Sequence, residues 1–220
     1  MNLTNSIRAV IFDLDGTLVE SASEISIALE RTFRDFGLAP PGQKQVEAMI
    51  GKGVRVLVER ALARAGADGV DLDAVVEKFE AHYAQTVGTA AALYPGVMDG
   101  LNRLRAAGVP MAVVTNKPRF FTLQLLDRVG VSGLFAAVVA GDDGLTRKPA
   151  GDMLVAACRQ MGHEPGDTLM IGDSDNDITA ARNAGCPVWC VPYGYNEGKR
   201  PEALACDRLV ATIDTAARLI

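Results

Sequence analysis

The sequence predicts an α/β protein, a doubly wound, mostly parallel sheet with an inserted all-α helical cap. Three observations predict it. From residue 97 onward, short apolar runs alternate regularly with helix-like stretches, the pattern of a parallel sheet covered by helices on both faces with right-handed crossovers. Two of the apolar runs end abruptly in clustered aspartates, Asp13 with Asp15 and Asp173 with Asp175 and Asp177, at the strand ends where such sheets bind ligands. Between the first apolar run and the second lie about 70 residues with no convincing strand, which marks an insertion rather than a continuation of the sheet.

Val10, Ile11 and Phe12 are continuously apolar, as in a central strand buried on both faces. Asp13 and Asp15 follow two residues apart, and extended chain repeats side-chain direction at that interval, so both carboxylates point the same way. Residues 22–36 place Ile25, Ala28, Leu29, Thr32, Phe33 and Phe36 at helical spacing, with Gly37 as the stop. Pro40-Pro41-Gly42 is a loop, and residues 46–50, 54–65 and 72–87 read as further helices. The core domain is therefore assigned to residues 1–20 and 93–220, and the cap to 21–92.

After Tyr94-Pro95-Gly96 the alternation begins. Residues 97–107 form a helix closed by Gly108, 110–114 a strand, and 118–129 a helix with Pro118 in its first turn. Then come a strand at 135–140, a helix at 150–161, a strand at 168–171 and a helix at 175–184 stopped by Gly185. Strands at 188–191 and 208–210 and a helix at 212–219 complete the chain.

Composition narrows the function. The net charge of −5 and pI near 5.1 argue against a nucleic-acid partner, whose phosphates favour basic faces. No apolar run approaches the ~20 residues that span a bilayer, and no signal-peptide hydrophobic region precedes Asp13. Cys158, Cys186, Cys190 and Cys206 show neither Cys-x-x-Cys spacing nor neighbouring histidines. They read as reduced and mostly buried, in a cytoplasmic protein that interacts with neither membrane nor nucleic acid and exists as a monomer or homodimer.

The chemistry lies at the strand ends. Two carboxylates as close as Asp13 and Asp15 share a proton or recruit a cation, and a hard oxygen-seeking ion such as Mg2+ fits. An Asp-x-Asp-Gly turn chosen for turn chemistry accounts for the same residues. Thr115 and Asn116 could donate to phosphate oxygens at a helix start, and serve equally as helix caps. Lys148 could hold a phosphoryl group as a point charge, or be a solvated lysine beside the acidic loop Gly141-Asp142-Asp143. The run Gly172-Asp173-Ser174-Asp175-Asn176-Asp177 is harder to explain as a turn, because it supplies the oxygens that Asp13 and Asp15 lack for a divalent ion.

Taken in order, Asp13-Leu-Asp-Gly-Thr-Leu18, Thr115-Asn116, Lys148-Pro149 and Gly172-Asp-Ser-Asp-Asn-Asp177 resemble the four motifs of the haloacid dehalogenase superfamily of phosphohydrolases. Tyr94-Pro-Gly-Val97, Val114-Thr-Asn-Lys-Pro118, Gly141-Asp-Asp143, Pro192-Tyr-Gly-Tyr-Asn196 and the segment 51–62 are similar to bacterial phosphoglycolate phosphatases within it. One departure is Ala150-Gly151-Asp152 after Lys148-Pro149, where the family often has His or Asp and then Pro; that position is not catalytic in the family.

The resemblance implies a Rossmann-like core and an Mg2+-dependent phosphomonoester hydrolase that converts 2-phosphoglycolate to glycolate and phosphate. Asp13 would be the nucleophile that forms an aspartyl-phosphate, and Asp15 the general acid and base. Asp13, Asp173 and the backbone carbonyl of Asp15 would hold the metal, with Asp177 and Ser174 supporting them and Asp177 orienting Lys148 or a metal-bound water. Thr115, Asn116 and Lys148 would neutralise the transferring phosphoryl group. The dehalogenase branch lacks the second aspartate of the first motif, so Asp15 argues for phosphate.

Substrate choice is expected in the cap. Lys52, between Gly51 and Gly53, and Arg55 sit at a helix start, where the helix dipole disfavours cations. Either could meet the substrate carboxylate, and a surface lysine in a mobile loop accounts for the pattern equally well. His82 and His163 have no partner at catalytic or metal spacing, Trp189 reads as sheet packing, and residues 196–200 carry no assigned chemistry. Other readings are a phosphatase acting on a sugar phosphate such as N-acetylmuramic acid 6-phosphate, a pyrophosphatase, a sugar phosphomutase, or a receiver-like module that accepts phosphate without turnover.

Overall fold

The computed structural model describes residues 7–67 and 69–220; residues 1–6, assigned above to the core, lie outside it. In chain order the elements are β1 (Ala9–Phe12), β2 (Val19–Glu20), α1 (Ala22–Asp35), α2 (Gln43–Glu47), α3 (Val54–Arg64), α4 (Leu72–Thr86) and β3 (Ala92–Leu93). There follow α5 (Val97–Ala106), β4 (Met111–Val114), α6 (Arg119–Arg128), β5 (Ala137–Val139), α7 (Asp152–Met161), β6 (Thr168–Gly172), α8 (Asp175–Ala184), β7 (Val188–Cys190), β8 (Arg208–Leu209) and α9 (Ile213–Ala217). Among the described residues, no helix is long and apolar enough to cross a membrane.

Six strands form one parallel sheet in the order β5-β4-β1-β6-β7-β8. The continuous apolar runs are explained by burial on both faces. Val10, Phe12, Met111, Val113, Leu169 and Ile171 enter one core cluster with Leu101, Leu104, Leu125 and Ile213 from α5, α6 and α9. Their neighbours Ile11, Ala112, Val114 and Met170 enter the opposite cluster with Met153, Leu154, Ile178 and Ala181 from α7 and α8. Alternate residues thus serve opposite layers, and a polar side chain on either face would lie in a core.

The pairing of β2 with β3, Val19 opposite Leu93 and Glu20 opposite Ala92, was not expected from sequence. Strands of two residues carry no readable period, and their pairing depends on a contact across the whole intervening segment. That segment holds α1 to α4. The apolar face of α1, including Ile25, Ala28, Leu29 and Phe33, shares a cluster with Val75, Phe79 and Tyr83 of α4 and with one sheet face.

Helix boundaries shift in several places. α2 begins at Gln43, ahead of the expected 46, because the Gln45 side chain returns to accept from the Gly42 amide at 3.1 Å. Pro118 is the N-cap of α6 rather than a residue of its first turn. α7 starts at Asp152, since residues 147–150 form a turn closed by the Ala150 amide on the Arg147 carbonyl. All four cysteines are free thiols; three are buried and Cys206 is half-buried.

Candidate active site

The strand order reverses at β1. The chain leaves it for β4 and β5 on one side, then returns to β6 on the other. Such a reversal opens a crevice at the carboxyl ends of the strands, and Asp13, Thr115 and Asp173 occupy those ends of β1, β4 and β6. Lys148 arrives from the loop between β5 and α7.

Asp13, Asp173 and Asp177 each bring a carboxylate oxygen within 4.8 Å of the others, and all three are buried. Lys148 stands among them, 3% exposed. Its Nζ lies 2.8 Å from Asp13 Oδ1, 2.8 Å from Asp177 Oδ1 and 2.9 Å from the Val114 carbonyl, so each of its three donors has an acceptor. This excludes the solvated-lysine reading. Burial pulls the Lys148 ammonium down, but the charges of Asp13 and Asp177 outweigh it and raise it above the ordinary lysine value.

Burial also pushes the Asp13 carboxyl well above the usual carboxylate range; Lys148 opposes this, while Asp177 and Asp173 reinforce it. Asp173 is pushed up to about 7, first by burial and then by the charge of Asp177. Opposing hydrogen bonds come from the Tyr195 amide at 2.7 Å, the Asn196 amide at 3.4 Å and the Thr17 hydroxyl at 3.0 Å. Asp177 is locked locally, accepting from the Ser174 amide at 3.1 Å and the Ser174 hydroxyl at 2.8 Å. Two glycines make room for the cluster. Gly16 has φ +88°, and a Cβ there would meet Asp173 Oδ2 at 2.6 Å, while a Cβ on Gly172 would strike the Asp177 carboxyl at 2.4 Å.

Three buried carboxylates face one buried ammonium in this cluster, so two negative charges stand uncompensated if all ionise. A divalent cation with oxygen ligands answers that imbalance. Asp13 and Asp173 fit as its ligands, because Asp177 is already engaged by Lys148 and Ser174.

Asp15 faces the neighbouring cavity. It accepts from the Ser21 hydroxyl at 2.6 Å, and Lys117 Nζ lies 2.8 Å from both of its carboxylate oxygens. The cavity has a volume of about 40 Å3; its walls include Asp13, Asp15, Thr115, Asn116 and Lys117 from the core and Ile25, Ile50, Leu57, Phe79 and Tyr83 from the helical segment.

Asn116 is more occupied than expected. Its Nδ2 donates to the carbonyls of Gly51 at 3.0 Å and Lys148 at 2.9 Å, and its Oδ1 accepts from the Lys148 amide at 3.0 Å. The Asn176 amide also donates to the Gly51 carbonyl, at 3.1 Å. Thr115 Oγ1 accepts from the Lys117 amide at 3.2 Å.

The two cations of the inserted segment divide. Lys52 lies between Gly51 and Gly53, which line the cavity without it. Arg55, expected as a possible ligand for the substrate carboxylate, instead reaches 2.5 Å to Asp73 with its side chain 56% exposed, and does not line the cavity. A carboxylate on the same surface is the nearer partner for a long exposed side chain. His82, expected to have no partner at catalytic or metal spacing, lies 2.8 Å from Asp35 Oδ2, a contact between α4 and α1.

Sequence reasoning missed Lys117, Ser21 and the 193–196 loop. Residues 192–196 stand out in the sequence only for their resemblance, with no role given to any side chain or amide, yet the Tyr195 and Asn196 amides hold Asp173, the Tyr193 hydroxyl donates to the Thr17 carbonyl, and Tyr195 Oη accepts from the amides of Ser21 and Ala22. The signals for Lys117 were its place beside Thr115-Asn116 at a strand end and its inclusion in the resembling stretch Val114-Thr-Asn-Lys-Pro118.

Comparison with known proteins gives the same frame. A model of the haloacid dehalogenase-like hydrolases matches residues 10–191. The chain is 40% identical over its whole length to a phosphoglycolate phosphatase of Nitrosospira multiformis, covering 98% of that protein. It is 38% identical to the phosphoglycolate phosphatase of Escherichia coli K12, over 90% of this chain and 86% of that one. A crystal structure of a predicted phosphoglycolate phosphatase from Haemophilus somnus superposes with a TM-score of 0.92 at 30% identity, covering 97% of this chain and 98% of that one. With its acidic cluster at the switch point of the sheet and this agreement along nearly its full length, the chain belongs to the haloacid dehalogenase-like hydrolases.

Proposed function

We propose that this phosphatase hydrolyses 2-phosphoglycolate to glycolate and phosphate with Mg2+ as cofactor, residues 21–92 forming a cap over a core of residues 1–20 and 93–220. The observation that carries the reading is the opening of Asp13 and Asp15 onto one small cavity beside the buried carboxylate cluster. The names of the full-length relatives support the substrate.

Asp13 attacks phosphorus, forming an aspartyl-phosphate as the ester oxygen departs with a proton from Asp15. Asp15 then takes a proton from the water that attacks the same phosphorus, releasing phosphate and restoring Asp13. Lys148 and Thr115 place positive charge and a hydroxyl where negative charge gathers on the transferring group. Asn116 fixes the backbone of Lys148 and the cap loop at Gly51. Mg2+, held by Asp13, Asp173 and the Asp15 carbonyl, would supply charge neutralisation for the carboxylates and the phosphoryl oxygens.

Cavity size bears on the leaving group. One water needs ~10–15 Å3 by the same measure, so about 40 Å3 holds a few waters or a two-carbon fragment. An amino sugar would have to project out of the cavity, whereas a two-carbon leaving group stays within it. The turnover chemistry of paired Asp13 and Asp15 likewise counts against a receiver-like module. The deciding experiment is phosphate release from a panel of phosphomonoesters, with and without EDTA. The expected result is EDTA-sensitive turnover with 2-phosphoglycolate ranked first; a sugar phosphate in that place overturns the substrate, and no turnover of any ester overturns the reading.

A further inference from the structure

Lys117 belongs to none of the motifs from which the chemistry was read, yet its ammonium lies in the cavity. The side chain is 5% exposed. Its Nζ spans both oxygens of Asp15 at 2.8 Å and lies 5.0 Å from the centre of the Tyr83 ring. Among the described residues lining the cavity, it alone carries a positive charge; the charged groups beside it are Asp13 and Asp15, and the remaining wall is largely apolar.

We propose that Lys117 is the specificity-determining residue of the site, its ammonium receiving the carboxylate of the substrate. This deepens, and rests on, the assignment of 2-phosphoglycolate above. In that molecule one methylene separates the ester oxygen from the carboxylate carbon. With the ester oxygen at hydrogen-bonding distance from Asp15, the carboxylate oxygens fall about 3 Å beyond it, a spacing set by ordinary bond lengths and contact distances. An ammonium already in contact with Asp15 is within reach of both groups. Tyr83 backs the ammonium with its ring face, while its hydroxyl is committed to Glu24 at 3.1 Å and so does not compete for the carboxylate. Ile25, Ile50, Leu57 and Phe79 limit water around the pair, which strengthens an ionic contact.

A merely structural lysine, serving only to neutralise Asp15, would act equally on every ester. The test is therefore a ratio. The efficiency kcat/KM is measured for 2-phosphoglycolate and for ethyl phosphate, which replaces the carboxylate by a methyl group, in the wild type, Lys117→Gln and Lys117→Met. Losses from disturbing Asp15 are common to both substrates and cancel. The preference for 2-phosphoglycolate is expected to fall about 100-fold in both variants, the scale for truncating one partner of a buried charge pair. Lys117→Met keeps the apolar stem, so one variant still reports if the other folds poorly. A wild-type preference that survives within about threefold in the variants overturns the role of Lys117 and leaves the substrate assignment standing. A wild type with no preference overturns both.

Discussion

Lys148 and Asp177 form a 2.8 Å ion pair in which neither partner reaches solvent, the side chains being 1% and 0% exposed. The pair joins the loop after β5 to the first turn of α8, and Asp13 lies on the other side of the same ammonium. Lys148→Met removes the positive charge from among three buried carboxylates. A loss of about 3–5 kcal/mol in stability is expected, the usual consequence of breaking a buried pair from one side. Denaturant unfolding measures it, and turnover should fall at least about 100-fold in phosphate-release assays.

Asp13 and Asp15 should be separable by leaving group. Asp13→Asn is expected to abolish turnover on every ester, and substantial residual activity would refute it as nucleophile. Measured as kcat/KM, which ends at departure of the leaving group and so leaves out the later role of Asp15 as base, Asp15→Asn should depend on the ester, with a loss of about 100-fold or more on alkyl esters such as 2-phosphoglycolate. The loss should be much smaller on p-nitrophenyl phosphate, whose leaving group departs without a proton. Equal losses on both would remove the acid role from Asp15.

The cluster also predicts how stability varies with pH. The Asp173 carboxyl is pushed up to about 7 by burial and Asp177, from a usual 3.8, and Asp13 shifts in the same direction. Between those values the folded chain keeps a proton that the unfolded chain has released. This contribution to stability is complete below the unfolded pKa and is lost as pH rises through about 7. Carboxylates lowered by partners, such as Asp143 beside Arg119, have the opposite sign, but their window lies below the usual 3.8. Protons compete with a cation for Asp13 and Asp173. Thermal melts should therefore show Mg2+ raising Tm more at about pH 8 than at about pH 5; the reverse order would exclude these carboxylates as ligands.

Arg55→Ala should change little. Its partner Asp73 is on the surface and both side chains are more than half exposed, so stability should stay within about 0.5 kcal/mol. The KM for 2-phosphoglycolate should be unchanged. A rise in KM would return Arg55 to the substrate site.

Much of the sheet was legible because its central strands bury both faces. Val10 to Phe12 and Leu169 to Ile171 permit no polar residue until the strand ends, so the carboxylates after them stand out. The convergence of Lys148 with Asp13 and Asp177 was legible only through the family's motif order, since nothing local distinguishes a buried lysine from a surface one. Lys117 and residues 193–196 lie in stretches that carry the resemblance, but what they do was not legible. Their roles arise from contacts spanning 102 residues to Asp15 and 22 to Asp173, and neither leaves a periodic trace. Arg55 shows the converse: a cation at a helix start looked poised for an anion, and found one in Asp73.

The Gly51 carbonyl accepts from Asn116 after β4 and from Asn176 in α8, at 3.0 and 3.1 Å. One backbone oxygen of the inserted segment is thereby gripped by two separate parts of the sheet scaffold. That loop cannot retreat from one without retreating from the other, and Asn116 also positions the main chain of Lys148. Asn116 is therefore a shared anchor, one amide side chain that fastens both the inserted segment and the main chain of the residue whose ammonium stands between Asp13 and Asp177.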